Sequence, residues 1–311
     1  MSQALRQIAQ KILSADTITI ILHRQPDGDA IGSAVALAES LAEKDLKIAT
    51  SPKIDEIYSR VIDLPPTTTR LDLGRDCYLV LDCSESHRTG FTEQLRAVPG
   101  KNIIVIDHHT NRGDLVKVTK NFFIDESYSA TAEIVDDLLK LLRKAITPKI
   151  CTALLLGIYT DTGGFKHPNT SQKTLERASK LIRQGGDLRK ITKTFLQKSS
   201  NAKRKLWGKM LSNLEINRWG IAQVRVTKKQ ISDSGARAED IFGIANTIAL
   251  ISEAKAALVM IEQDDGWRGI LRTRHRHIDI GRLAKLLGGT GQKKAAGFTA
   301  TNKVFSGKID N

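Results

Sequence analysis

Short apolar runs and helical apolar stripes alternate through the first half of the chain. Residues 17–22, 78–81 and 103–106 are brief, β-branched and bounded by polar turns, which predicts buried strands. Ile31, Ala34, Val35, Ala38, Leu41 and Ala42 recur at helical spacing, as do Ala132, Val135, Leu138, Leu139 and Leu142. Ile150, Ala153, Leu154, Gly157 and Ile158 keep the same period, so Asp161 is expected to end a helix, stopped by Gly163-Gly164. Upstream, Leu5, Ile8, Ala9, Ile12 and Leu13 mark one face of an N-terminal helix, and another helix is expected over about 171–183. Such alternation predicts an α/β fold with a parallel sheet and flanking crossover helices.

The character changes near residue 195. Residues 196–215 are basic and poor in β-branched side chains, which reads as a helical connector. Beyond them come a strand in IAQVRVT, a helix over about 238–251, and two strands, ALVMIEQ and WRGILRTR. Asp264-Asp265-Gly266 between those strands is a hairpin signal. A helix over about 279–287 leads into GGTGQKKAAG. The expected organisation is a first domain over 1–195, a connector over 196–215 and a smaller α/β domain over 216–311. A length of 311 residues accommodates both.

No stretch approaches the ~20 apolar residues of a membrane span, and the N-terminus lacks the apolar core of a secretory signal. Cys77, Cys83 and Cys151 fit no zinc or disulfide framework, so a cytoplasmic location is expected. The 48 Lys and Arg against 34 Asp and Glu give +14, which favours anionic partners, nucleic acid or nucleotides above all. A general solubility charge is the alternative.

Chemistry gathers at the tips of four apolar runs. They carry His23, Asp27 and Asp29 in HRQPDGDAIGS, Asp82 in YLVLDCS, His108 in IIVIDHH and Asp161 in LLLGIYTDTGG. Ligands collect outside the carboxyl ends of strands in open α/β sheets. Four carboxylates and two imidazoles converging there repel one another unless cations neutralise them. Two divalent ions ~3.5–4 Å apart meet the needs of phosphoester hydrolysis, because they activate water and clamp the phosphate. Asp82 is the candidate bridge between them, with His23 and Asp27 completing one shell and Asp29, His108 and Asp161 the other. Asp27 and Asp29, in an extended turn, would point to opposite sides, with Gly28 permitting the turn. Mixed imidazole and carboxylate donors suit Mn²⁺ first, with Co²⁺ or Mg²⁺ as alternatives. For any one of these residues, a capping or turn role is the commoner explanation; the set of six carries the metal reading.

HRQPDGDAIGS, the lone Asp82, Asp107-His108-His109 and TDTGGF resemble the four motifs of the DHH phosphoesterase superfamily. GGTGQKKAAGF resembles the glycine-rich signature of the associated C-terminal domain. The two-domain size is most similar to the nanoRNase and 3'-phosphoadenosine-5'-phosphate phosphatase group, and less like the longer RecJ exonucleases. The resemblance implies metal ligation by His23, Asp27, Asp29, Asp82, His108 and Asp161, and places His109 at the scissile phosphate or leaving group. Asp107 then orients an imidazole. Arg88 is a candidate phosphate contact, with a solvated surface arginine as the alternative.

In the C-terminal half, the bare amides at Gly289 and Gly291, with Lys293 and Lys294 beside them, suit phosphate or carboxylate recognition. Arg268, Arg272, Arg274, Arg276, Arg282 and Lys285 add to this basic neighbourhood, against the single acid Asp279. The resemblance assigns substrate grip to Arg272 in ILRT. It also exposes a departure: Gln292 stands where the family loop carries histidine, and glutamine cannot become cationic. His275 and His277 read as part of an exposed basic strand or loop, with another metal site as the alternative. With few aromatics, no long stacking platform is expected; Phe165 and Phe298 are candidates to sandwich one base, with core packing as the alternative.

The expected function is metal-dependent hydrolysis of very short RNA or DNA oligonucleotides, and of a 3',5'-bisphosphonucleotide such as pAp. Alternatives are a phosphodiesterase of linear or cyclic dinucleotides (pApA, c-di-AMP), a RecJ-like exonuclease, or a nucleic-acid-binding protein with an inactive site. The expected partners are small nucleotides and oligonucleotides, with no membrane; a homodimer is left open.

Overall fold

Strand β1 (Thr17–Ile21) runs into the middle of a six-stranded sheet, buried from Ile18 onward. Around it lie β2 (Asp45–Ala49), β3 (Thr67–Thr68), β4 (Cys77–Leu81), β5 (Ile103–Asp107) and β6 (Phe122–Ile124), in the order β3-β2-β1-β4-β5-β6. Every pairing is parallel, with Ile20 beside Leu79 and Leu81 beside Ile106. CYLVL and IIVID are buried throughout, as parallel strands covered on both faces must be. The chain leaves β1 toward one edge and returns at β4 toward the other. That reversal is the topological switch point, where doubly wound sheets leave a crevice.

The computed structural model describes residues 2–51, 54–110, 112–197, 201–241 and 243–301. The chain divides into two compact units, residues 1–196 and 197–311. Among the described residues no helix is long and apolar enough to cross a membrane, and Cys77, Cys83 and Cys151 are free and buried.

Helices of the first unit are α1 (Gln3–Ser14), α2 (Gly28–Ser40), the short α3 (Ser86–Thr89), α4 (Thr92–Ala97) and α5 (Leu115–Val118), then α6 (Thr131–Leu141), α7 (Pro148–Asp161), α8 (Gln172–Arg183) and α9 (Leu188–Gln197). Three glycines let α2 meet α7 at backbone distance. A Cβ on Gly32 would lie 2.2 Å from the Ala153 carbonyl oxygen, and one on Gly28 2.5 Å from the Thr160 side chain. A Cβ on Gly157 would lie 2.7 Å from Asp29 Oδ1. The close approach of these helices therefore sets the position of a candidate ligand. Gly28 thus serves packing rather than a tight turn.

The second unit holds α10 (Asn201–Ser212), β7 (Glu215–Ile216), β8 (Ile221–Val226), α11 (Lys228–Asp233), α12 (Ile244–Ile248), β9 (Ala256–Gln263), β10 (Gly266–Arg272), α13 (Ile280–Leu286), β11 (Thr290–Gly291) and β12 (Ala295–Thr301). Its sheet runs β11-β12-β10-β9-β8-β7, with β9 and β10 as an antiparallel hairpin and β8 parallel to β9. Residues 198–200 of the expected connector lie outside the described residues. The helix expected over 238–251 is divided into a 3-10 turn at Ala238–Ile241 and α12. Gly243, at φ 94°, adopts a left-handed conformation that no helix interior accommodates. GGTGQKKAAG is not all loop: it turns from β11 into β12, with Gln292 N–H donating to Ala295 O at 2.7 Å.

Candidate metal centre

Side chains from both sides of the switch point converge at the carboxyl end of the parallel sheet. His23 follows β1, and its Nδ1 lies 2.9 Å from the Arg24 carbonyl, so Nε2 faces the centre, 3.7 Å from Asp82 Oδ2. Asp27 is the N-cap of α2 and accepts from the Asp29 and Ala30 amides. Asp29 lies in the first turn of that helix. Asp27 and Asp29 are therefore separated by a helix start and not by an extended turn; Asp27 is exposed and Asp29 wholly buried.

Asp82 follows β4 at φ 58°, a left-handed conformation that aspartate tolerates better than most residues. Its Oδ1 lies 3.7 Å from His108 Nε2 and its Oδ2 faces His23, so its two oxygens point at different imidazoles. His108 follows β5, with Nδ1 3.3 Å from the Tyr128 carbonyl and Nε2 3.4 Å from Asp161 Oδ2. Asp161 is the last residue of α7. Two sets of donor atoms result, each within 4.8 Å: His23, Asp27 and Asp82, and Asp29, His108 and Asp161.

The electrostatics fit divalent cations. Burial raises the Asp29 carboxyl well above its ordinary range, with Asp161 and Asp27 adding to it and the Ala132 and Thr131 amides opposing. Burial likewise raises Asp82, reinforced by Asp29, Asp27, Asp107 and Asp161. Asp161 is pushed up to about 7, by burial and then by Asp27. His108 is lowered to about 4 by burial and by neighbouring His109, which keeps its imidazole neutral as a ligand must be. Its Nε2 is buried without a hydrogen-bond partner. An orphaned imidazole nitrogen facing three crowded carboxylates is a donor set that could hold a cation.

A stability prediction follows from these shifts. At pH 6.5 Asp161, pushed up to about 7, still largely holds in the folded metal-free protein a proton that the unfolded chain has released, and gives it up by pH 8.5; the burial that raises Asp29 and Asp82 acts in the same sense. Stability from a raised pKa is complete at low pH and is lost as pH rises through the folded value. His108 works the other way, but only between about 4 and 6.5. The melting temperature in EDTA is thus expected to fall by about 1–3 °C from pH 6.5 to 8.5. Saturating Mn²⁺ should abolish the fall. A flat scanning-calorimetry series in EDTA would contradict the reading.

His109 stands beside the centre. Its Nδ1 lies 2.7 Å from Asp107 Oδ1, which also accepts the His109 amide at 3.1 Å. Burial opposes protonation of His109, but the Asp107 hydrogen bond together with the charges of Asp107 and Asp161 overcomes it and raises its pKa. Asp107, despite its burial, is held low by that bond together with the His109 charge and amide and the His108 charge. Asp82, His108 and His109 form a third possible donor set; the His109 Nδ1, 3.6 Å from Asp82 Oδ1, is already engaged by Asp107. Arg88, on α3, is half-buried and near enough for its charge to depress His109. Its carbonyl accepts from the Arg24 amide, which ties α3 to the His23 loop.

In the second unit a cavity of about 560 Å³ is lined by Arg268, Arg272, Asn246 and the glycines at 289 and 291. Arg272 Nε donates to Asn246 Oδ1 at 2.9 Å, and its burial lowers its pKa. Gln292, Lys293 and Lys294 sit at the β11–β12 turn, outside that lining; Lys294 Nζ donates to the Arg274 carbonyl. Phe298 is buried and borders the cavity, whereas Phe165 packs edge-on against Tyr159. The motif reading missed Asn246, and also Thr131 and Asn169, which contact Asp82 and Asp161. Neutral polar residues carry no signal of charge or spacing, so only the fold reveals them.

Residues 17–158 match the DHH family, N-terminal domain. The chain is 29% identical to the bifunctional oligoribonuclease and PAP phosphatase NrnA of Thermus thermophilus, over 96% of this chain and 88% of that protein. It is 28% identical to the protein of the same name from Bacillus subtilis, over 90% and 88%. A solved exopolyphosphatase-related protein from Bacteroides fragilis superposes with TM-score 0.86 at 22% identity, over 99% of this chain and 94% of that one, which shows a shared fold. The N-terminal part of the chain is thus similar to the DHH family's N-terminal domain, and nearly the whole chain is similar to these two relatives.

Proposed function

We propose that this protein is a manganese-dependent phosphoesterase that hydrolyses very short oligonucleotides and 3',5'-bisphosphonucleotides such as pAp. One observation carries the reading: two donor sets, one containing Asp82 and the other facing its second oxygen, at the switch point of a parallel sheet. Names of relatives that align over 88% of their length support the substrate class. Two imidazoles among oxygen donors favour Mn²⁺ or Co²⁺ over Mg²⁺. Bound there, a pair of divalent ions would supply an activated water and neutralise the phosphate.

The chain's own residues do the rest. His23, Asp27 and Asp82 hold one position, and Asp29, His108 and Asp161 the other. His109, with Nδ1 fixed by Asp107, keeps a proton available at Nε2 for the departing oxygen. Arg88 adds positive charge beside it. The first unit carries the chemistry. In the second unit, Arg272 and the amides around Gly289 and Gly291 line a cavity suited to a phosphate.

The test compares kcat/KM for diribonucleotides, their deoxy counterparts, pAp, pApA and c-di-AMP, with Mn²⁺, Co²⁺ and Mg²⁺ in turn. Diribonucleotide and pAp are expected to exceed c-di-AMP by at least about tenfold, with Mn²⁺ the best ion. Cleavage of c-di-AMP alone would move the protein to a messenger phosphodiesterase. Tight RNA binding without any hydrolysis would make it a binding protein.

A further inference from the structure

Thr131 opens α6 and is wholly buried. Its backbone N–H donates to Asp29 Oδ2 at 2.6 Å, and its hydroxyl donates to Asp82 Oδ1 at 3.0 Å. One residue therefore touches a carboxylate from each donor set. The next amide, of Ala132, donates to Asp29 Oδ1 at 2.8 Å, so Asp29 is held by both oxygens while Asp82 is held through one. The Asp82 oxygen that takes the hydroxyl is the one facing His108 Nε2; its other oxygen faces His23 Nε2.

A carboxylate can bind one cation with both oxygens or divide them between two, and rotation about its Cβ–Cγ bond selects between these modes. The hydroxyl, on a β-branched side chain with few rotamers, fixes that rotation. We propose that Thr131 is a positioning residue that holds Asp82 in the divided orientation, so that the two donor sets fill as a pair. The inference rests on the two-cation reading of the site. Without the hydroxyl, Asp82 would be free to turn both oxygens toward the His23 and Asp27 side, and the set of Asp29, His108 and Asp161 would lose the oxygen that faces it.

The experiment is titration calorimetry of the metal-stripped full chain with MnCl₂, for wild type, Thr131→Val, Thr131→Ala and Thr131→Ser. Wild type should bind two ions. Thr131→Val and Thr131→Ala should take up the first ion as tightly as wild type and the second at least about tenfold more weakly. Thr131→Ser should restore both. Equal weakening at both positions would reduce Thr131 to a structural role and overturn the proposal, as would wild-type binding by the Val and Ala variants. A wild-type chain that binds fewer than two ions overturns the two-cation reading, and the role of Thr131 with it.

Discussion

Replacement of Asp82 by asparagine is expected to lower turnover of a diribonucleotide by at least about 10³-fold, since outer partners of a metal site alone are worth about 10–100-fold. The change keeps the side chain's shape and an oxygen for the Thr131 hydroxyl, but removes the charge shared between the donor sets. Stability should respond in the opposite sense. Without cations, Asp82 is a buried carboxylate crowded by Asp29, Asp27, Asp107 and Asp161, and burying an unpaired charge is costly. The Asp82→Asn protein in EDTA is therefore expected to melt no lower than wild type at pH 8. Mn²⁺ should raise its melting point less than it raises that of wild type. Retained turnover would remove Asp82 from the chemistry.

Substitution of His109 by glutamine is expected to lower kcat by about 10²–10⁴-fold, the usual worth of a positioned proton donor, with the number of bound ions unchanged. The geometry separates this from a ligand role. His109 Nδ1, which lies 3.6 Å from Asp82 Oδ1, is held by Asp107 at 2.7 Å. The loss should shrink with a p-nitrophenyl phosphodiester, whose leaving group needs no proton. A missing ion in the His109→Gln protein would instead make His109 a ligand.

The fold was legible where local pattern and burial agree. Asp161 at a helix end, and the helices expected over about 171–183 and 279–287, match α7, α8 and α13, with Ser171 and Asp279 serving as caps of the latter two rather than their first residues. Strands β2, β3 and β6 were not legible. DLKIA alternates only partly, β3 has two residues, and FFI is half-exposed, so each depends on its neighbour in the sheet. In the site, charged and imidazole residues announced themselves by sitting at the tips of apolar runs. The hydrogen bonds from Thr131 and Ala132 to Asp29 did not, because they join positions about a hundred residues apart. Likewise, Gly28 invited a turn explanation in sequence, while its actual constraint is Thr160, on a helix far along the chain.

Asp29 has a second duty that bears on how descendants of such proteins are classified. Ala130 gives α6 no side-chain cap, and Asp29 fills that place from another helix through two amides. Selection for a folded scaffold would preserve this aspartate even in a lineage that had abandoned catalysis. His23 and Asp161, with no comparable architectural task, would drift first. A DxD signature surviving alone in a genome survey would thus diagnose ancestry, and the fate of those two positions would diagnose whether the enzyme still works.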